Sequence, residues 1–289
     1  MPGRQGARQL PESRRLKTFL DTILEDVREE VQAAKLVRTA ADIRAMVADA
    51  PPPRAFAGAL AAGGFGLIAE IKERSPSVGP MRAENVRSAA PAYAGSPCVR
   101  AVSVLTNARH FGMDVSRLAA VRAAVPQPVL RKDFFIDEYQ IREARAFGAD
   151  AILLMANVLD AARLKGYHEL ALELGIDALF EVHTEEEIDL LPAAALVVGI
   201  NSRKFKSDAG FVGAAGSSDK DFSLDPTVFQ LAGKLPAGSL RVAESGISPG
   251  TIHTVRNAFA AALVGTSLLR DPRGVGPCLH EFETAIADG

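Results

Sequence analysis

The spacing of apolar residues changes along the chain and divides it into two parts. In the first part, apolar residues such as Ile23 and Val27 recur every three to four positions, which is typical of amphipathic helices. Thr39 followed by Asp42 forms a capping-box pair and predicts the start of a second helix. A run of three prolines then ends that helix. We therefore predict an N-terminal helical extension over residues 16–65.

The second part, residues 66–289, alternates short apolar runs with stretches of helical spacing. The apolar runs, which we predict to be strands, are 67–72, 99–106, 128–132, 151–155, 178–182, 196–200, 240–243 and 261–264. The helical stretches that follow them are 85–94, 115–125, 138–147, 161–174, 185–191, 226–235, 249–259 and 275–287. Eight consecutive strand–helix units predict an α/β protein with a closed (β/α)8 TIM barrel, and we expect residues 16–289 to form a single domain. A doubly wound open sheet remains the alternative.

Composition and charge narrow the class of protein. A formal net charge of −2 argues against a nucleic-acid-binding protein, and no apolar run is long enough to cross a membrane. Cys98 and Cys278 are the only cysteines and form no CxxC pair, which favours a reducing compartment. None of the five histidines shows metal-ligand spacing. We expect a cytoplasmic protein whose residues 1–15 are a disordered lead-in.

Charged and polar residues recur where the predicted strands end. They are Glu70 and Lys72 at the first strand, Lys132 at the third, Glu181 and His183 at the fifth, Asn201 and Arg203 at the sixth, and Glu244 and Ser245 at the seventh. One such residue would be ordinary surface charge, but the carboxyl ends of barrel strands meet at one face, where active sites form. Lysines and glutamates brought together there shift each other's pKa values and can act as general acid and general base.

Two turns of small residues follow the last two predicted strands. They are Ser245-Gly246 and Gly265-Thr266-Ser267. Each alone could be a tight turn, but small residues at this place in a barrel also let backbone N–H groups approach a phosphate. Lys72 and Ser75 could add contacts to the anion. We therefore predict a phosphorylated small molecule as the substrate.

Several of these motifs resemble the indole-3-glycerol phosphate synthase family. They are Ala69-Glu70-Ile71-Lys72 with Ser75-Pro76-Ser77, Val129-Leu130-Arg131-Lys132-Asp133-Phe134, Phe180-Glu181-Val182-His183, Gly199-Ile200-Asn201 with Arg203, and Glu244-Ser245-Gly246-Ile247. The resemblance covers roughly residues 19–269, in order. It implies a carbon–carbon lyase of tryptophan biosynthesis that uses no cofactor and no metal. Its substrate would be 1-(2-carboxyphenylamino)-1-deoxyribulose 5-phosphate.

The resemblance also implies roles for individual residues. Lys132 would be the general acid at the ketone, and Glu181 the base or cation stabiliser near the anilino nitrogen. Lys72 would pair with the substrate carboxylate or protonate the leaving hydroxyl. Glu70 and Asn201 would contact the ribulose hydroxyls, and Arg203, Glu244 and Ser245 would complete the polar network. Phosphate or carboxylate would bind at Ser75, Gly246, Gly265, Thr266 and Ser267. The aromatic ring would lie in a pocket formed by Phe111, Phe134 and Leu154.

The sequence departs from the family pattern in two loops. Val78 stands where a lysine usually follows Ser75-Pro76-Ser77, so substrate capture is expected to differ. The segment Ser207–Phe222 is longer than usual and rich in glycine and serine, and we expect a lid or an unstructured insertion there. For the assembly we expect a monomer or a weak homodimer.

Three other functions remain open at this level. The chain could be a different phosphate-binding barrel, such as a phosphoribosylanthranilate isomerase or a histidine-pathway enzyme, although those would use an acid–base pair of Asp or Cys. It could bind a phosphorylated aromatic without turning it over. It could also perform the same chemistry on a substituted anthranilate.

Overall fold

Eight parallel strands close into a barrel in the computed structural model, which describes residues 18–203 and 223–288. The strands are β1 (Gly66–Ile71), β2 (Val99–Leu105), β3 (Val129–Lys132), β4 (Ala151–Met155), β5 (Asp177–Val182), β6 (Val197–Asn201), β7 (Leu240–Glu244) and β8 (Ala261–Val264). Each strand pairs with its neighbours in chain order, and β1 pairs with both β2 and β8. The predicted (β/α)8 barrel is confirmed, and the open-sheet alternative is wrong because the sheet has no edge.

Eleven α-helices accompany the strands within the described residues. They are α1 (Phe19–Val37), α2 (Ala40–Asp49), α3 (Phe56–Ala61), α4 (Ala83–Gly95), α5 (Ala108–Phe111), α6 (Arg117–Ala124), α7 (Glu138–Ala146), α8 (Ala161–Glu173), α9 (Glu185–Ile188), α10 (Thr266–Leu269) and α11 (Val275–Ala287). None of them has both the length and the apolar composition needed to cross a membrane.

The helical extension closes the barrel at both ends. A capping box of Thr18 and Asp21 begins α1. A second capping box, Thr39 and Asp42, begins α2, as predicted from the sequence. Ile23 of α1 lies at the carboxyl ends of the strands, where it lines the pocket described below. The short helix α3 lies at the opposite end, because the N–H of Ala57 donates to Asp177 at the start of β5. The extension is therefore part of the barrel's core as well as a cover over its mouth.

Successive side chains of each strand point to opposite faces of the sheet, so the buried apolar residues form two hydrophobic clusters. In β1, Leu67, Ala69 and Ile71 pack outward against the helices, whereas Ile68 faces the barrel interior. Glu70 is two residues beyond Ile68 and therefore also points inward. The same alternation in the other strands places one inward layer of side chains at the carboxyl end of the barrel.

Several helices differ from their predicted bounds. The predicted helix 226–235 is a 3-10 segment, Pro226–Lys234, and the predicted helix 249–259 contains only a short one, Ile252–Thr254. Pro249, Gly250 and β-branched residues within that stretch disfavour a regular α-helix. The helices α3, α5 and α10 were not predicted, because four to six residues are too few to show a helical period. The expected lead-in 1–15 and lid Ser207–Phe222 lie outside the described residues.

Candidate active site

A pocket at the carboxyl ends of the strands brings together residues from almost every strand–helix connection. Of the predicted site residues, those that line it are Glu70, Lys72, Ser75, Phe111, Lys132, Phe134, Glu181, Asn201, Arg203, Glu244, Ser245, Gly246, Gly265, Thr266 and Ser267. These residues are far apart in sequence and meet only because parallel strands end at the same face. Within the described ranges, no three His, Cys, Asp or Glu side chains are grouped so that they could hold a metal ion.

Lys132 places a buried ammonium group among carboxylates. Its Nζ lies 3.5 Å from Oε2 of Glu181 and 4.0 Å from Oε2 of Glu244. Burial alone would lower the pKa of Lys132, but the charges of Glu181, Glu244 and Glu70 outweigh it and raise this pKa above its usual value. Lys132 therefore holds its proton at neutral pH and is arranged to donate it to a bound group.

Glu181 and Glu244 are both buried, but their protonation differs. Burial works to raise the pKa of Glu181, yet the positive charges of Lys132 and His183 hold it below the usual value. Burial and the adjacent charge of Glu181 raise the pKa of Glu244 well above its usual value. Glu181 therefore gives up its proton more readily than Glu244, which holds its proton to a higher pH. Two carboxyl groups whose pKa values are driven apart are the arrangement expected of acid–base catalysis.

A second charged pair lies on β1 and just beyond it. The ammonium of Lys72 donates a short hydrogen bond to Oε1 of Glu70. Arg203 lies in the same pocket, where burial lowers its pKa and the charge of Glu70 partly offsets this effect. Oδ1 of Asn201 accepts the backbone N–H of Arg203 at 3.0 Å, which fixes the orientation of the amide. The pocket thus holds cations and carboxylates side by side, so it can bind an anionic substrate and transfer protons to and from it.

Two glycines, Gly199 in β6 and Gly265 just after β8, make room for the glutamates, and only Gly265 was predicted as a site residue. A Cβ at Gly199 would collide with Oε1 of Glu244 and contact Leu179 at 3.4 Å. A Cβ at Gly265 would collide with the carboxyl group of Glu70. The role of Gly199 was missed, because its register opposite Glu181 is visible only in the folded sheet. Its missing side chain lets Glu244 reach toward Lys132.

Replacing Gly199 by alanine is expected to lower kcat by about 10- to 100-fold, since displacing a catalytic neighbour by about 1 Å costs on that scale. The fold should persist, because a strand interior accepts alanine. Steady-state kinetics and thermal unfolding of the Gly199→Ala variant would measure both effects.

Gly166→Ala provides the matched control, because a Cβ at Gly166 meets no atom within 4 Å. It should leave kcat unchanged. Wild-type kcat in a folded Gly199→Ala variant would show that the position of Glu244 does not matter for turnover.

The turns after β7 and β8 form one side of the pocket. Ser245 has a φ of 67°, which is rare for a residue other than glycine, and Gly246 follows with a φ of 71°. The carbonyl of Ser245 accepts the hydroxyl of Ser202 at 3.1 Å, which helps to hold this conformation. Ser267 donates its hydroxyl to the carbonyl of Ile247 at 2.7 Å and so joins the two turns. Backbone strain held in place by neighbouring hydrogen bonds is common at ligand sites.

One residue predicted to line the apolar side of the pocket, Leu154, does not lie there. Leu154 is fully buried in the outer cluster against the helices and does not line the pocket. Its neighbours Leu153 and Met155 face inward and line the pocket with Phe111 and Phe134. The prediction for Leu154 was wrong by one position, which in a strand reverses the side of the sheet.

Leu153→Ala and Leu154→Ala are expected to separate binding from stability. Both should lower the free energy of unfolding by about 2–5 kcal/mol, because both remove a buried side chain. Only Leu153→Ala should also raise KM and widen the range of accepted ring substituents. Denaturant unfolding and kinetics with unsubstituted and methylated substrates would test this, and an equal change of KM in both variants would contradict the placement.

The loop after β1 is tied to α5, and α5 is tied to α1. The backbone N–H of Glu73 donates to the carbonyl of Phe111 at 3.1 Å, and Arg74 donates to the carbonyl of Arg109 at 2.7 Å. Asp26 of α1 pairs with the side chain of Arg109 at 2.5 Å. These contacts hold Phe111 at the pocket, which Val78 also lines. The effect of Val78 on substrate capture stays a prediction.

Comparisons with known proteins match these features. A family model described as indole-3-glycerol phosphate synthase covers residues 20–274. The chain is 42% identical over 264 residues to the indole-3-glycerol phosphate synthase of Mycolicibacterium smegmatis. The aligned region covers 89% of this chain and 91% of that protein. It is 41% identical over 258 residues to indole-3-glycerol phosphate synthase 2 of Streptomyces coelicolor, and this aligned region covers 87% of the chain and 94% of that protein.

Solved structures that resemble the chain at low identity show the fold alone. A 3-hexulose-6-phosphate synthase matches with a TM-score of 0.52 at 16% identity, over 78% of this chain and all of that one. The tryptophan synthase A-subunit of Pyrococcus furiosus matches with a TM-score of 0.51 at 14% identity, over 76% of this chain and 98% of that one. The family model and the sequence relatives decide the assignment: the chain belongs to the indole-3-glycerol phosphate synthase family.

Proposed function

We propose that the protein converts 1-(2-carboxyphenylamino)-1-deoxyribulose 5-phosphate into indole-3-glycerol phosphate, carbon dioxide and water, as a step of tryptophan biosynthesis. The observation that carries this proposal is the buried ammonium of Lys132, which lies within 4.0 Å of both Glu181 and Glu244 in the pocket. The pKa of Glu181 is lowered and that of Glu244 is raised, so the two carboxyl groups suit different roles. A ring closure followed by loss of carbon dioxide and hydroxide needs such a donor and such a base in one dry pocket.

In the first step, the ring carbon that bears the carboxylate attacks the ketone carbon. The electron pair of the carbonyl moves to its oxygen, which takes a proton from Lys132. The anilino nitrogen becomes positively charged, and the carboxylate of Glu181 stabilises that charge. Phe111 and Phe134 hold the aromatic ring, and orienting it over the ketone lowers the entropic cost of closure.

In the second step, the bond between the ring carbon and the carboxylate breaks. Its electron pair restores the aromatic ring and neutralises the nitrogen, and carbon dioxide leaves. Lys72 pairs with the substrate carboxylate and orients it, while its own partner Glu70 keeps the ammonium in place. Arg203 supplies a second buried cation on the same side of the pocket.

In the third step, the new hydroxyl leaves as water. It takes a proton from an ammonium group, for which Lys72 is placed, while Glu181 removes a proton from the adjacent carbon to form the ring double bond. Glu70 and Asn201 contact the ribulose hydroxyls and help to expel the leaving group. The phosphate binds at the turns that contain Ser245, Gly246, Gly265, Thr266 and Ser267, with Ser75 on the opposite side.

The test is a fluorescence assay of purified protein with this substrate and no added metal or cofactor. The chain contains no tryptophan, so indole fluorescence would rise from a low background. A steady increase is the expected result. No increase, with the substrate bound unchanged, would overturn the proposal and favour a non-catalytic barrel.

A substituted anthranilate as the true substrate is the remaining variant of the same chemistry. Ring-methylated substrates in the same assay would reveal it by a higher kcat/KM than the unsubstituted compound gives. None of the described residues that line the pocket favours that outcome.

Assembly and location stay predictions. We expect a cytoplasmic monomer or weak homodimer that binds no nucleic acid and no membrane. Light scattering over a range of protein concentrations would measure the assembly.

A further inference from the structure

A histidine lies behind Glu181, outside the wall of the pocket. Nε2 of His183 is 3.5 Å from Oε1 of Glu181, whereas Lys132 faces the other oxygen, Oε2. Nδ1 of His183 is 3.2 Å from Oε2 of Glu187 on α9. Neither His183 nor Glu187 lines the pocket. The two oxygens of Glu181 therefore face different partners, Lys132 at Oε2 and His183 at Oε1.

Glu187 fixes the imidazole through two contacts with one oxygen. Its Oε2 accepts the backbone N–H of His183 at 2.6 Å and faces Nδ1 of the same residue. A carboxylate is an acceptor only, so Nδ1 carries a hydrogen. The short turn from β5 into α9 brings the two residues together, because the N-cap Thr184 accepts the N–H of Glu187.

Nε2 of His183 lies at an ion-pair distance, 3.5 Å, from Oε1 of Glu181. An imidazolium at this distance attracts the carboxylate, whereas the lone pair of a neutral Nε2 would not. Burial lowers the pKa of His183, but Glu187 and Glu181 outweigh burial and the charge of Lys132, and the pKa is raised. The imidazolium beside the carboxylate is the state that this balance favours.

We propose that His183, oriented by Glu187, is a positioning residue that holds Oε1 of Glu181 and keeps this carboxylate ionised, so that Oε2 alone faces Lys132 and the substrate; this rests on the proposed function of Glu181 as the base. The groups that face His183 are Glu181 and Lys132 from the strands and Glu187 from α9. His183 itself touches no reacting atom.

The experiment compares His183→Asn, Glu187→Gln and the control Glu186→Gln in steady-state kinetics from acidic to neutral pH. Glu186 is an exposed neighbour on the same helix. For His183→Asn we expect kcat to fall about tenfold with KM changed less than about twofold, the scale of support for a catalytic base. The acid limb of the kcat profile should move to higher pH, because Glu181 without a neighbouring imidazolium keeps its proton longer.

Glu187→Gln should shift the acid limb in the same direction by a smaller amount, and Glu186→Gln should match the wild type. A uniform loss of kcat with an unmoved acid limb would overturn the proposal, because a merely structural residue would act in that way. Wild-type kinetics in His183→Asn would overturn it as well.

NMR titration of the imidazole in the wild-type protein tests the ion pair even where a variant does not fold. The midpoint for His183 should lie above that of an ordinary exposed histidine, and a midpoint below it would contradict the proposal. Failure of this inference would leave wild-type turnover intact, whereas absence of wild-type turnover would remove the proposed function and leave the titration unaffected.

Discussion

Replacing Lys132 by alanine is expected to lower kcat by at least about 1,000-fold, because the change removes both the proton donor and the cation that stabilises the developing alkoxide. The ammonium lies within 4.0 Å of two buried carboxyl groups, and Lys72 is paired with Glu70 instead. A second lysine therefore does not stand ready to replace it. The fluorescence assay measures kcat, and equilibrium dialysis measures whether the variant still binds substrate.

Lys165→Ala is the matched control, because Lys165 is two-thirds exposed and pairs only with Glu169 on the same surface helix among the described residues. It should leave kcat unchanged. A folded Lys132→Ala variant with more than about a tenth of wild-type kcat would remove Lys132 from the role of general acid, since that loss is below the usual contribution of such a group.

Glu181→Gln is expected to lower kcat by about 100- to 1,000-fold, because glutamine keeps the shape of the side chain and removes the negative charge that accepts the proton. The loss of this charge also lowers the pKa of Lys132, for which Glu181 is the strongest stabilising carboxylate. Substrate binding should change little, because the phosphate turns and the ring pocket are untouched. Kinetics at several pH values and the same binding assay would measure this variant.

The companion variant Glu244→Gln makes the test sharper. Glu244 is as buried as Glu181, but its raised pKa favours the neutral form of its carboxyl group, and glutamine is a close mimic of a neutral carboxylic acid. We expect Glu244→Gln to keep kcat within about tenfold of wild type. Equal losses of kcat in the two variants would contradict the opposite pKa shifts of Glu181 and Glu244.

Most of the barrel could be predicted because polar residues reveal which side of a strand faces inward. In β1 and β5, Glu70 and Glu181 interrupt apolar runs and fix the alternation. In β4 the run Ala151–Met155 is apolar throughout, so the sequence does not show which of its residues face the barrel interior. The error at Leu154 follows directly from that, and Leu153 was missed for the same reason.

Contacts between distant elements could not be predicted from local pattern. The space that Gly199 leaves for Glu244 depends on the register of three strands. Ile23 reaches the pocket only because α1 folds back over the mouth of the barrel. A helix was predicted to begin at residue 185, but the contact of Glu187 with His183 depends on the turn between β5 and α9, which the spacing of apolar residues does not describe.

The measurement that tests the central claim most directly is the product stoichiometry of the purified protein. Wild type should release one carbon dioxide and one indole-3-glycerol phosphate for each carboxyphenylamino-deoxyribulose phosphate consumed, and Lys132→Ala should release neither at a comparable rate. Carbon dioxide without the indole product, or consumption of substrate that does not depend on Lys132, would contradict the account.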